Sequence, residues 1–283
     1  MFHFTRAELE RFLTEDVPYH DLSTAAIGAQ GTARIGYLSR EHAVVCGTEE
    51  VRGLFDLVGV DTESTLRSGE PVLPGQELIA GVGPVEAVFG VWKVGQNILD
   101  RASGIATAAR RWTTMIRDAG LSCPVLTTRK SFPGTRKLVT KACVIGGAVP
   151  HRLGASETLL FFDQHIALAG GLDAFIARIP QIKTDHCEKK LLVECDSVAQ
   201  AAMLLAAGAD GIQFDKLPAP LLTTIVTELR ADYPHAILLI AGGVTEQNLI
   251  AYAESGVDGI VTTALYNARP LDIGVTVTSV PAQ

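Results

Sequence analysis

The chain has 283 residues, of which 47% are apolar and 19% charged, and Lys plus Arg total 24 against 31 Asp plus Glu, a formal charge of −7. That balance can bury a core and excludes a disordered or fibrous protein. The acidic total also argues against nucleic acid as the main partner.

No apolar run approaches the roughly 18 residues of a membrane helix, and the opening MFHFTRAELERFL reads as the first turns of a helix, not as a leader. Five scattered cysteines, an odd number with no CxxC pair, fit reduced thiols in a cytosolic protein. Segments 31–47 and 69–83 carry Gly/Pro punctuation and short strands of antiparallel character, with helices expected over about 48–58 and 84–98 and a longer one near 84–118. The stretch Asp185-His186-Cys187-Glu188 looks metal-binding but lies in a polar run, so a surface loop is expected. Trp92 and Trp112 read as packing residues.

The second half is rhythmic. Apolar runs at 124–130, 158–163, 191–196, 211–215, 236–243 and 259–265 alternate with Ala- and Leu-rich helical stretches. Strands apolar throughout, each followed by a helix, predict a parallel sheet covered on both faces. Gly208-Ala-Asp-Gly-Ile212 is echoed by Gly256-Val-Asp-Gly-Ile260, each first Gly closing a helix just before a strand. Six strands are legible; a closed eight-stranded barrel needs two more, and a smaller or open barrel is the equal alternative. The C-terminal run LDIGVTVTSV is a strand that could return to the first domain.

In such a barrel the carboxyl ends of the strands converge on one mouth. Those ends carry Arg129 and Lys130, Asp163, Glu194, Asp215, Gly242 and Gly243, and Thr262 and Thr263. No Asp or Glu occurs between Asp118 and Glu157, a window holding Arg129, Lys130, Arg136, Lys137, Lys141, His151 and Arg152. Arg forks and Lys point charges suit carboxylates and phosphates; a solvated helix face is the alternative for Arg136 and Lys137. Glu194 and Asp215 close consecutive strands, an arrangement suited to magnesium shared with substrate phosphates, unless each caps a helix or pairs with a base. Ala241-Gly242-Gly243-Val244 follows a strand and precedes a helix expected to be capped by Thr245; bare glycine amides can cradle an anion. A mouth of this kind fits phosphoribosyl or phosphoryl chemistry. No GxGxxG follows a strand and no GxSxG occurs, which excludes dinucleotide hydride transfer and a serine elbow.

The residues together resemble the type II phosphoribosyltransferases, specifically the quinolinate phosphoribosyltransferase (nicotinate-nucleotide pyrophosphorylase) family. The resemblance is carried by Asp21-Leu-Ser-Thr24, Asn97 with Ser103-Gly-Ile-Ala-Thr107, Thr128-Arg-Lys130 with Pro133-Gly134, Arg136 and Lys141, Gly146-Gly147 with His151-Arg152, Val193-Glu194, Gly208-Ala-Asp210 with Asp215, Gly242-Gly243, and Leu271-Asp-Ile273. It implies an α/β protein with an N-terminal α+β sandwich (1–105, joined by 266–283) and a C-terminal open seven-stranded α/β barrel (106–265). It implies a homodimer with shared active sites, no organic cofactor, and Mg2+ with phosphoribosyl pyrophosphate (PRPP). Glu194 and Asp215 would hold the metal, directly or indirectly. Thr128, Arg129, Lys130, His151 and Arg152 would line the acceptor pocket, Glu194 and Asp215 would face the ribose, and Gly242 and Gly243 would hold the 5′-phosphate; Lys130, Glu194 and Asp215 would be catalytic.

Departures surround both substrates. Phe162 stands where the family has a Lys that meets a quinolinate carboxylate. Lys93 replaces an Arg supplied by the neighbouring subunit, Ala241 a Ser, and Thr263, beside Thr262, a Gly. With Trp92-Lys-Val-Gly-Gln-Asn97 and Ile98-Leu-Asp-Arg-Ala-Ser-Gly104, they resemble the ModD branch, pyrophosphorylase-like proteins associated with molybdenum transport. The expected function is phosphoribosyl transfer from PRPP to a ring nitrogen of a quinolinate- or nicotinate-like acceptor. A catalytically altered anion- or nucleotide-binding protein of molybdenum metabolism, and a quinolinate phosphoribosyltransferase of NAD biosynthesis, are the alternatives.

Overall fold

A computed structural model describes residues 2–281. The strands, in chain order, are β1 (Thr32–Ser39), β2 (Ala43–Val44), β3 (Asp61–Thr65), β4 (Pro71–Val72), β5 (Glu77–Pro84), β6 (Val125–Thr127), β7 (Val149–Pro150), β8 (Leu159–Phe161), β9 (Leu191–Cys195), β10 (Gly211–Asp215), β11 (Ile237–Ala241), β12 (Gly259–Thr262) and β13 (Ile273–Val280). The described chain divides into two compact units: residues up to 110, 132–147 and from 266 onward in one, and 111–131 and 148–265 in the other. A single helix, Val85–Asp118, runs through the boundary at residue 110. No helix among the described residues is long and apolar enough to cross a membrane.

The first unit holds an antiparallel sheet in the order β13-β1-β5-β3, with β2 paired to β4. The C-terminal strand lies along β1 from Thr32↔Val280 to Ser39↔Ile273. Helix Arg6–Asp16 starts at a capping box: Thr5 Oγ1 accepts from the Glu8 amide while the Glu8 carboxylate accepts from the Thr5 amide. Helix Thr48–Val58 buries Val51, Leu54 and Phe55 in a core shared with Ile35, Tyr37, Ile79, Val88 and Val91. Tyr37 is fully buried, and its hydroxyl donates toward the carbonyls of Val91 and Trp92. Helix Arg136–Ile145 carries Lys141, 5% exposed, whose ammonium lies 2.8 Å from Glu49 and 2.6 Å from the equally buried Glu50. Burial opposes the Lys141 charge, but its bonds to the two carboxylates outweigh that and raise its pKa.

The second unit is a seven-stranded parallel sheet, β7-β6-β12-β11-β10-β9-β8. Its outer strands β7 and β8 pair with no further strand in that order, so it curves as an open barrel sheet. The expected six strands are all present. The seventh, Val149–Pro150, is too short to leave a periodic signal. Side chains two apart along a strand share a face, and this alternation builds the mouth in two layers. Leu160, Leu192, Leu239 and Val261 form a buried apolar cluster with Ala241, against which Leu126 and Phe162 pack. One alternation further along the same strands come Thr128, Phe162, Glu194, Ala241 and Thr263, and Gln213 is followed in the same way by Asp215.

Candidate active site

The carboxyl ends of these strands enclose a cavity of about 350 Å³. Its wall includes Thr128, Arg129 and Lys130 after β6, His151 and Arg152 after β7, Leu160 and Phe162 at β8, and Glu194 on β9. It continues through Gln213, Asp215 and Lys216 at β10, Ala241 to Val244 after β11, and Val261 to Ala264 at β12. Every sequence-predicted binding residue of the barrel half is therefore in one cavity. Lys93 is not among its lining residues; it lies exposed on helix Val85–Asp118, bonded to Gln96 at 3.1 Å, its ammonium over the Trp92 ring.

The basic window divides. Arg129, Lys130 and Arg152 reach the cavity, whereas Lys137 is held by Glu8 at 2.8 Å and Lys141 by Glu49 and Glu50. Lys137 and Lys141 are structural ion pairs of the first unit, and Arg136 opens the same helix. Asp163, also at a strand end, begins helix Asp163–Leu168 and does not line the cavity. Asp185 to Glu188 are all exposed, as expected, but Asp185 closes helix Ile179–Asp185 and only His186 to Glu188 form the turn. Trp112 is packed as expected, 4% exposed, with Nε1 donating to Glu246 at 3.2 Å.

The cavity is polarised. At one side burial pushes the His151 imidazole down to about 4, with Arg152 adding to the effect, so it is neutral across ordinary pH. Burial, and then repulsion from Arg129, also lowers the Arg152 pKa. Two guanidiniums that repel each other in a half-buried wall are a ready site for an anion. At the other side burial raises the Glu194 pKa; the Asp215 charge adds to that, and the bond from Gln213 opposes it. Gln213 Nε2 donates to Glu194 Oε2 at 2.6 Å and Lys216 Nζ to Asp215 Oδ2 at 2.7 Å. Glu194 is thus held by a residue of β10 and Asp215 by the residue just after that strand.

Gly242 and Gly243 have φ of 78° and 68°, in the left-handed region. A methyl group on Gly242 would stand 2.6 Å from Asp215 Oδ1, so any larger residue here must displace the carboxylate. The helix expected directly after them begins later, at Leu249, with Asn248 and not Thr245 in the capping position. The Asn248 side chain explains the delay: it accepts from the Thr245 amide at 2.8 Å and donates to the Gly243 carbonyl at 3.0 Å, shaping a loop. The helix has only six residues, so the expected cradle for an anion reduces to the amides of the glycine loop. Thr263 places its hydroxyl 2.9 Å from that of Thr128, and Thr262 Oγ1 accepts from the Ala264 amide.

Gln213 and Lys216 escaped sequence reasoning. Gln213 left a trace, a lone amide inside the apolar run GIQFD; Lys216 left none. Among the described residues no group of three or more His, Cys, Asp or Glu side chains is placed to hold a metal. Glu194 and Asp215 both line the cavity, and two carboxylates would hold a hard cation such as magnesium only with substrate oxygens completing its shell.

A family model described as quinolinate phosphoribosyl transferase, C-terminal domain, matches residues 105–276, and the corresponding N-terminal domain model matches residues 21–103. A relative from Rhodobacter capsulatus named "Putative pyrophosphorylase ModD" is 35% identical over 249 residues, covering 88% of this chain and 95% of the relative. The nicotinate-nucleotide pyrophosphorylase (carboxylating) of Mycobacterium leprae is 32% identical, covering 97% of each chain. Among solved structures, the nicotinate-nucleotide pyrophosphorylase of Ehrlichia chaffeensis superposes with a TM-score of 0.89 at 24% identity, over 98% of this chain and 100% of that one, which is a likeness of fold.

Proposed function

We propose, from the premise that this chain belongs to the quinolinate phosphoribosyltransferase family, that it is a ModD-type pyrophosphorylase transferring the phosphoribosyl group of PRPP to a ring nitrogen of a pyridine-carboxylate-like acceptor. The observation that carries this reading is the polarised cavity: an arginine and lysine wall faces a carboxylate pair flanked by bare glycine amides. Such a cavity complements a molecule with an anion at each end and a sugar between.

In the reaction the bond from ribose C1 to the pyrophosphate oxygen breaks, its electron pair leaving with pyrophosphate, and the acceptor nitrogen lone pair forms the new bond to C1. The carbon is cationic at the transition state, so fixed charges placed in advance lower the barrier. Glu194 and Asp215 face the ribose and offset its positive charge. Lys130, close enough to act on the Glu194 carboxylate, offsets the charge growing on the leaving group. Arg129, Arg152 and the Thr128 hydroxyl orient the acceptor, and neutral His151 offers it a hydrogen bond without adding charge. Glu194 and Asp215 would also hold magnesium, which supplies further charge neutralisation for pyrophosphate when bound with PRPP. The apolar face of Phe162 favours an acceptor with fewer charges than quinolinate. Lys93 stands where the family takes an Arg from the neighbouring subunit, which supports a homodimer with shared sites as the working enzyme.

Titration calorimetry with PRPP and Mg2+, followed by measurement of pyrophosphate release with nicotinate and quinolinate, tests the reading. Expected are PRPP binding and acceptor-dependent release, faster with nicotinate. Folded protein that binds no PRPP overturns it.

A further inference from the structure

Among the described residues one non-glycine has a left-handed backbone: Lys216, at φ 55°. Non-glycine residues stay in that region only where the surroundings hold them there, and they gather at functional sites. Here the Lys216 amide donates to the Ala241 carbonyl at 2.8 Å, tying the residue after β10 to the end of β11. The lysine stem is thereby laid beside Gly242, where a methyl group would stand 2.7 Å from Lys216 Cγ. The side chain lines the cavity yet is 73% exposed, with its ammonium 2.7 Å from Asp215.

Charge gives this placement its meaning. The cavity's other cations come from the ends of β6 and β7. The ends of β10, β11 and β12, which surround the glycine loop, contribute only two charged side chains to the wall, Asp215 and Lys216. A sugar phosphate carries a charge of about −1.5 to −2 near neutrality. At the glycine loop, Asp215 alone would repel it.

We propose that Lys216 is a phosphate-binding residue. In the free protein it is paired with Asp215; on binding, its ammonium swings to the phosphate of a phosphosugar seated on Gly242–Gly243 and leaves the Asp215 carboxylate to the sugar hydroxyls. The proposal rests on the phosphoribosyl reading and adds a residue to it. Lysine is suited to the exchange because a point charge on a flexible stem can change partners with little reorganisation.

The test measures binding of ribose 5-phosphate and, separately, of inorganic pyrophosphate to the wild type, Lys216→Met and Lys216→Arg. Methionine keeps the stem and removes the charge at an exposed position. Expected is a tenfold or greater loss of ribose 5-phosphate affinity in Lys216→Met, less than a twofold change for pyrophosphate, and retention within threefold in Lys216→Arg. Unchanged ribose 5-phosphate binding in Lys216→Met, or an equal loss for both ligands, overturns the assignment while leaving the phosphoribosyl reading in place. A wild type that binds neither ligand overturns both.

Discussion

Replacing Gly242 and Gly243 by Ala, one at a time, separates backbone cost from a displaced charge pair. Both have left-handed φ, so each substitution costs about 1–2 kcal/mol for placing an L-residue there. At Gly243 the new methyl meets nothing within 4 Å, whereas at Gly242 it would stand 2.6 Å from Asp215 Oδ1 and 2.7 Å from Lys216 Cγ. Those atoms belong to side chains that can rotate. The protein accommodates the methyl by moving both, with little further loss of stability but with two ionic groups out of place. A displaced hydrogen bond to a charged group is worth roughly 1.5–3 kcal/mol, and about 1.4 kcal/mol is tenfold in Kd. Urea denaturation should therefore show similar losses for the two variants. Calorimetry should show PRPP bound at least tenfold more weakly by Gly242→Ala than by Gly243→Ala. Equal PRPP affinities would refute the reasoning, as would a stability loss in Gly242→Ala far beyond that of its neighbour.

Three further outcomes are expected. Lys141→Met strands the buried Glu50 carboxylate and should destabilise the protein by about 3–5 kcal/mol, read from denaturant midpoints; the double variant with Glu50→Gln should recover much of the loss, and additive losses would count against a coupled pair. Phe162→Lys adds a cation to the apolar wall and should improve quinolinate affinity by roughly 1.5–3 kcal/mol, with no gain arguing against Phe162 as a selectivity residue. Because the folded pKa of Glu194 is raised, its ionisation disfavours the folded state once pH exceeds the ordinary carboxylate range. Glu194→Gln should thus stabilise the ligand-free protein at pH 8, by less than about 1 kcal/mol for a partly exposed group. The gain should vanish near pH 4, where the native carboxyl is protonated, and a gain that persists there would contradict the sign.

The strands of the barrel half were legible where burial on both faces leaves continuous apolar runs, as in LLVEC and AILLIA. Val149–Pro150 was not, because two residues show no period. Arg129, Glu194 and Asp215 could be picked out because a parallel sheet puts the carboxyl ends of its strands together. The basic window misled by being local: Lys137 and Lys141 find their partners at Glu8, Glu49 and Glu50, about 90 to 130 positions away. Lys216 was invisible because its placement comes from a backbone angle, and Thr245 was misplaced as a cap because the Asn248 side chain takes the turn first.

The short outer strands of the seven-stranded sheet have a consequence for solubility. A sheet margin with free amides and carbonyls is a template on which a neighbouring molecule can polymerise. Here one margin is three residues long and the other two, ending in Pro150, which has no amide hydrogen to offer. Lengthening either margin, or restoring a donor at position 150, would be expected to turn a protected border into a seed for fibrous association.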